Sequence, residues 1–299
     1  MINFKEVEIK DKKWIETLLT TADLRASHQN FGNIFAWKEV FNYQVAQVND
    51  YFVLKGLIEE GPYYFFPAGE GEVLPVLEKL REDAEKNNHD FVMLGLSPEN
   101  VETLKELYPE KFEFKEMRDS FDYVYLIEKM ANLRGRKMQA KRNHINRFVA
   151  NNEWAFELIN PDNLAECWEM NLEWCSRNDC NDDPNLAAEA CAVLRNFEYF
   201  KELELEGGLI RVDGKVIAFT MGERLNSDTY IIHVEKAFGE IQGAYQIINR
   251  EFIRWVNETY PELVYVNREE DMGYEGLRKA KLSYRPDMMI EKYSARYFG

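Results

Sequence analysis

Cysteine, proline and glycine are scarce in this chain, at 4, 9 and 16 of 299 residues. So little proline and glycine excludes collagen-like and low-complexity chains and leaves no material for a long flexible tail. The four cysteines, Cys167, Cys175, Cys180 and Cys191, fall in one short stretch without a CxxC pair and without a nearby histidine. That spacing is not a zinc framework, so no metal is expected and the thiols read as reduced and buried on helices. No apolar run approaches the roughly 18 residues of a membrane span. The first residues, Ile2-Asn3-Phe4-Lys5-Glu6-Val7-Glu8, lack the apolar core of a secretory signal. A cytoplasmic protein without stable membrane insertion is the expectation. Positive charge is also in deficit, 37 Lys and Arg against 53 Asp and Glu, a net charge of −16. Such a chain repels phosphate backbones on average, which excludes an indiscriminate nucleic-acid binder.

What the chain does have is apolar material, 45% hydrophobic and 14% aromatic residues. That is ample for full cores, and the length fits two domains of about 150 residues. The first 45 residues read as helical. Aromatic and β-branched runs then predict strands over 51–58 and 63–67, joined by the turn Glu59-Glu60-Gly61-Pro62. An amphipathic helix with Val73, Leu74, Val76, Leu77, Leu80 and Ala84 on one face follows, then a strand over 91–96. Ser97-Pro98 opens a helix as N-cap and first helical residue, and a strand over 121–126 closes the half. The second half repeats the order. Helices over 164–177 and 186–203 precede a hairpin, 208–212 and 216–221, around Asp213-Gly214. A strand (229–234), a helix (245–257), a strand (263–266), a helix (274–282) and a last strand (288–293) complete it. This predicts an α/β chain with a mixed sheet and flanking helices built twice, over 1–130 and 131–299. No polar cluster stands out in the first half.

Between the halves, segment 134–147 carries six positive charges and no acid: Arg134, Arg136, Lys137, Lys141, Arg142 and Arg147. Met138, Ala140–Lys141, Ile145 and Phe148 suggest a helix with a narrow apolar stripe. It reads either as a solvated linker helix or as a docking strip for a polyanion, with Arg136, Lys137, Lys141 and Arg142 as the contacts.

Two stretches can carry chemistry. The first is the strand-to-helix turn His233-Val234-Glu235-Lys236-Ala237-Phe238-Gly239-Glu240-Ile241-Gln242-Gly243-Ala244-Tyr245. A glycine-containing loop feeding a helix offers backbone N–H groups to a pyrophosphate, here through Gln242, Gly243 and Ala244. The alternative is an ordinary glycine turn. Glu235, at the strand end, can accept a proton from an attacking amine, or can simply pair with Lys236. His233 reads as a satisfied structural histidine. The element order around this turn is that of the acyl-CoA N-acyltransferase (GNAT) fold.

The second stretch is 267–286, outside the carboxyl end of the 263–266 strand, the usual ligand position in an open α/β sheet. Three consecutive acids, Glu269, Glu270 and Asp271, would attract an ammonium group, with Asn267, Glu269 and Asp271 as the expected substrate contacts. Arg278 and Lys281 share a helical face suited to a phosphate or carboxylate. Tyr284, just past that helix, is placed to protonate a leaving group. A solvated acidic loop and basic helix face is the plainer alternative.

The pattern Asn-x-x-Glu-Asp-x-Gly-x-x-Gly-Leu-Arg-x-x-Lys over 267–281, with the basic segment and 235–245, resembles bacterial proteins similar to the C-terminal domain of phosphatidylglycerol lysyltransferases. The resemblance spans essentially the whole chain and implies two tandem GNAT-like domains. It implies aminoacyl transfer from charged tRNA, with the basic helix holding the tRNA. Glu269 and Asp271 would then hold an amino group, while Arg278 and Lys281 would meet a phosphate or the acceptor end. The membrane part of the lysyltransferases is not in this sequence, nor is an amphipathic membrane helix.

The expectation is therefore an acyl or aminoacyl transferase, dependent on aminoacyl-tRNA or coenzyme A as a donor that is not tightly held. It would deliver to an amine or hydroxyl of a small molecule or lipid head group. The alternative is a non-catalytic module on the same scaffold, binding RNA or a nucleotide. A peptidyl transferase acting on cell-wall precursors shares the doubled plan.

Overall fold

Aromatic and β-branched runs build two mixed sheets in the computed structural model, which describes residues 2–180 and 182–299. The chain divides into two compact units, one of Met1–Asp122, Glu270–Arg278 and Met289–Gly299, the other of Tyr123–Glu269 and Lys279–Met288.

In chain order the elements up to the first crossover are β1 (Lys5–Glu6), α1 (Lys12–Ala22), α2 (Phe31–Trp37), β2 (Gln44–Val48), β3 (Tyr51–Ile58), β4 (Gly61–Phe65), β5 (Ala68–Gly69), α3 (Leu74–Lys86), β6 (Val92–Leu96), α4 (Pro98–Leu107) and β7 (Phe112–Glu116). Then follow β8 (Asp122–Leu126), α5 (Ile127–Asn132), α6 (Gln139–Asn151), β9 (Trp154–Leu158), α7 (Leu164–Arg177), α8 (Pro184–Glu198), β10 (Glu206–Val212), β11 (Lys215–Arg224), β12 (Thr229–Ala237), α9 (Ala244–Thr259), β13 (Tyr265–Asn267), α10 (Glu275–Leu282), β14 (Met288–Ile290) and β15 (Tyr293–Tyr297).

The first sheet runs β1-β2-β3-β4-β6-β15-β7, with β5 beside β3. Its core takes Val76, Leu77, Leu80 and Ala84 from the expected face of α3, against Tyr64, Phe91, Met93 and Leu96, whereas Leu74 of that face is exposed. Ser97 caps α4 by accepting from the Asn100 N–H at 3.2 Å, with Pro98 in the first turn. The second sheet runs β14-β8-β13-β12-β11-β10-β9. Its β10–β11 hairpin turns at Asp213 and Gly214 with φ of 49° and 82°, the left-handed pair that a two-residue turn demands. Phe252, Ile247 and Ile248 of α9 are fully buried, as are Leu209, Ile210, Phe219 and Tyr230 of the sheet.

Three expectations are corrected. The 121–126 strand does not close the first sheet; as β8 it pairs with β13 in the second. The expected last strand, 288–293, is two strands in different sheets. β15 reaches back to lie between β6 and β7, so the terminal residues complete the first sheet. The cysteines are not all reduced and buried. Cys175 and Cys180 form a disulfide with Cα atoms 5.1 Å apart, and Cys191 is exposed. The cause is local: α7 ends at Arg177, Asp179 takes a φ of 52°, and the Cys180 N–H reaches back to the Cys175 carbonyl at 3.2 Å. Only Cys167 remains a buried thiol. Among the described residues no helix is long and apolar enough to cross a membrane, and no group of three or more His, Cys, Asp or Glu side chains is placed to hold a metal.

Candidate active site

β12 and β13 run parallel, but their pairing stops at Ile231 opposite Asn267. β12 continues to Ala237, still paired with β11 on its other side. The chain after Asn267 turns away because the Asn267 side-chain oxygen accepts the Glu269 N–H at 2.7 Å and Glu269 adopts a φ of 54°. This leaves an opening at the carboxyl ends of a parallel pair, where open α/β sheets bind ligands. Side chains bridge it in two steps.

In the first, Glu235 takes 2.7 Å and 2.8 Å hydrogen bonds from Arg268 Nη2 and Asn249 Nδ2. The Arg268 guanidinium lies 5.1 Å from the Tyr284 ring centre and 5.9 Å from that of Tyr125. Burial opposes its charge, but Glu235 and the two phenols outweigh that cost and hold the guanidinium above its ordinary pKa. Its Nη1 is buried without any acceptor. A buried donor left unmatched costs about 1–3 kcal/mol, so such groups ask for an explanation. On the same ring, Lys141 Nζ from α6 sits 3.9 Å from the Tyr284 centre. Burial, then the neighbouring Arg268 charge, lower the Lys141 pKa to about 8 against the pull of Glu235. Tyr284 is itself buried, which raises its phenol pKa and keeps the proton on.

In the second step, His233 Nδ1 lies 2.8 Å from Glu269 Oε1, and Nε2 lies 3.0 Å from Glu223 Oε1. Burial disfavours its charge, yet the two carboxylates prevail and raise its pKa to about 9. At neutral pH the ring is an imidazolium donating from both nitrogens.

The expected residues are thus sorted. Glu235, Tyr284 and Lys141 come together around Arg268. Asn267, Glu269 and Lys281 frame them: the buried Lys281 ammonium donates to the Arg268 and Glu269 carbonyls at 2.6 Å and 3.1 Å, holding the turn rather than meeting a ligand. Tyr125 in turn donates to the Lys281 carbonyl at 2.9 Å. Asp271 and Arg278 belong to the other compact unit, where they pair through two 2.8 Å bonds. Arg278 also meets Asp119 at 2.6 Å, and Asp271 caps Gly273. The fully buried Asp271 carboxylate is therefore occupied by arginine.

Gln242 is exposed, while Gly243 (φ 92°) and the buried Ala244 start α9. A Cβ on Gly243 would lie 2.6 Å from the His144 carbonyl oxygen and 2.9 Å from Phe148 Cβ, so α6 packs tightly against that turn. Of the expected stripe in the basic segment, Met138, Ile145 and Phe148 point inward, while Ala140 is exposed. Arg142 donates to the Leu133 and Gly135 carbonyls and braces the preceding turn. Arg136, Lys137 and Arg147 are exposed.

Sequence reasoning missed Arg268, Asn249 and Tyr125. Only the position of Arg268, directly after a strand end, could have signalled it. It also missed a buried cluster in the first unit. There Lys292 Nζ donates to Asp122 Oδ1 at 2.7 Å, Ser27 Oγ at 3.1 Å and Glu270 Oε2 at 3.2 Å. Asp122 further accepts from the Ser27 N–H at 2.7 Å and its hydroxyl at 2.9 Å. Burial opposes the Lys292 charge, but Asp122 and Glu270 raise its pKa to about 12. Beside it, burial and Lys292 depress His28 to about 3, and the neutral ring stacks on Phe65 at 4.7 Å.

Two mixed sheets with a parted parallel pair make this a tandem GNAT-like acyltransferase fold. The family model described as phosphatidylglycerol lysyltransferase, C-terminal, matches residues 20–296, and the chain belongs to that family. A conserved protein of unknown function from Bacteroides thetaiotaomicron VPI-5482 is 41% identical, covers 100% of both chains and superposes with a TM-score of 0.95. L-PGS from Bacillus licheniformis shares the fold at 14% identity and a TM-score of 0.67, over 96% of this chain and 92% of its own. An uncharacterised protein of Mycoplasmoides gallisepticum is 28% identical over 182 residues, 58% of this chain and 55% of that protein. The match thus spans about half the length of that curated relative.

Proposed function

We propose that the protein is an aminoacyl transferase whose reaction takes place at the β12–β13 opening. The observation that carries this is the largely buried Arg268–Glu235 pair at the carboxyl ends of the parallel strands β12 and β13, with the guanidinium nitrogen Nη1 left without an acceptor. Glu235 accepts the proton of the attacking amine or hydroxyl as the new bond to the carbonyl carbon forms. The ester C–O bond breaks, and the leaving oxygen takes its proton from Tyr284, whose phenol burial keeps protonated. Arg268 Nη2 holds Glu235 in place for that proton transfer.

An aminoacyl ester of tRNA fits better as donor than coenzyme A. The start of α9, where a pyrophosphate would rest, is covered by the His144 carbonyl and Phe148 of α6. Exposed Arg136, Lys137 and Arg147 offer an RNA backbone a local positive strip on an acidic chain. A hydroxyl or amine of a small molecule or lipid head group is the acceptor.

The full chain is incubated with a panel of radiolabelled aminoacyl-tRNAs and amine and hydroxyl acceptors. Transfer that collapses in Glu235→Gln supports the reading. Salt-sensitive tRNA binding with no transfer to any acceptor would replace it with a binding module. A Lys137→Glu/Arg147→Glu variant that binds tRNA like the parent removes the strip from the proposal.

A further inference from the structure

We propose that Arg268 and Lys141, facing one Tyr284 ring, form a receptor for a single monoanionic group of the substrate, a phosphodiester or a carboxylate. This deepens the proposed function by naming what the substrate must carry, and it rests on that reading only for the identity of the molecule.

Arg268 spends Nη2 on Glu235, whose other oxygen is taken by Asn249. Nη1 has neither solvent nor an acceptor. A guanidinium is a planar fork built for two parallel bonds to one oxyanion, and here half of its outer edge is free. Lys141 supplies the second arm. Its ammonium rests 3.9 Å from the ring centre that Arg268 approaches at 5.1 Å.

Charge gives the same answer. Two cations share one ring and face one carboxylate, Glu235. Tyr125 and Tyr284 are neutral phenols. Lys281, at the Arg268 and Glu269 carbonyls, and the His233 imidazolium together offset the two carboxylates Glu223 and Glu269. The site therefore holds one positive charge in excess, which a monoanion cancels. Burial, and after it the Arg268 charge, lower the Lys141 pKa, and an anion bound there restores the ammonium.

The probes are dimethyl phosphate and acetate, titrated into the full chain with 13C-methylated lysines, the Lys141 signal being identified by its loss in Lys141→Gln. The expected result is a saturable shift of that signal for at least one probe, with the Lys141 pKa rising by about one unit or more. Line broadening of the phosphate probe, read by 31P NMR, should need at least tenfold more protein in Lys141→Gln, a partly exposed position where folding is not at risk. Arg268→Lys should weaken binding similarly. Response to dimethyl phosphate alone assigns a phosphodiester, and response to acetate alone assigns a carboxylate. No saturable response to either probe, or undiminished binding in Lys141→Gln, overturns the receptor. Anion binding without aminoacyl transfer leaves the receptor standing and removes the transferase reading. Transfer that persists in Lys141→Gln, with no anion bound, does the reverse.

Discussion

Each compact unit buries a cation against a carboxylate, and the two arrangements differ in one respect. In the first unit the Lys292 ammonium has three N–H groups and three oxygen partners, in Asp122, Ser27 and Glu270. In the second, the Arg268 guanidinium leaves Nη1 unmatched, and a further cation, Lys141, stands over the same aromatic ring. A closed cluster can only hold the chain in place. An open one keeps capacity for something the chain does not supply. The difference separates a lock from a receptor, although both look alike as buried ion pairs.

The largest effect should come from breaking the lock. Lys292→Met strands Asp122 without its counter-charge, and removing one partner of a buried pair costs about 3–5 kcal/mol. Urea unfolding of the full chain should show that loss, and Lys292→Met/Asp122→Asn should recover much of it. A loss below about 1 kcal/mol would mean that the cluster is wet and not a lock.

His233 offers a closed cluster within the second unit, and so tests whether closure or location matters. Its folded pKa, about 9, lies above the ordinary 6.5. The stability it adds is thus fully present below pH 6.5 and disappears as pH rises through about 9. It amounts to on the order of 3 kcal/mol. Unfolding free energies measured at pH 6.5 and 10 should fall more steeply for the parent than for His233→Gln. Parallel falls would show that the imidazolium contributes nothing.

Glu235→Gln probes the open cluster. The amide oxygen can still accept from Arg268, so the unfolding midpoint should move less than in Lys292→Met. Transfer should drop roughly a hundredfold or more, because the amide takes no proton. Equal activity would place the base elsewhere.

How much of this was legible follows from distance along the chain. The Asp213–Gly214 hairpin, the Ser97 cap and the inward stripe of Met138, Ile145 and Phe148 are local patterns, and the structure has them. The doubled α/β plan followed from the order of such elements. Lys292 and Asp122 are 170 residues apart, and Ser27 lies 265 from Lys292. No periodicity links them; only the insertion of β15 between β6 and β7 does. Glu235 was readable as a strand-end carboxylate, but its partner Arg268, 33 residues on, was not. The acidic run at 269–271 misled for a related reason. Its charges looked available because their arginine, histidine and lysine partners come from other elements. Sequence shows which charges exist, and tertiary structure shows which are spent.

The two clusters also set one lysine against another. Burial acts against both charges. In the closed cluster Asp122 and Glu270 overcome it and drive Lys292 up to about 12, whereas in the open one Arg268 adds to it and Lys141 falls to about 8. The groups facing Lys141 are Arg268, Glu235 and the Tyr284 ring, and of these only Glu235 draws its pKa upward. Above about pH 8 the amine is neutral while an ordinary lysine is still charged, so affinity for dimethyl phosphate should fall up to tenfold per pH unit between 8 and 10. Lys141→Arg, which keeps its proton throughout, should flatten that dependence. Affinity that stays level from pH 7 to 10 in the parent would remove Lys141 as the second arm, leaving one buried arginine whose spare N–H is a local imperfection and not half of a receptor.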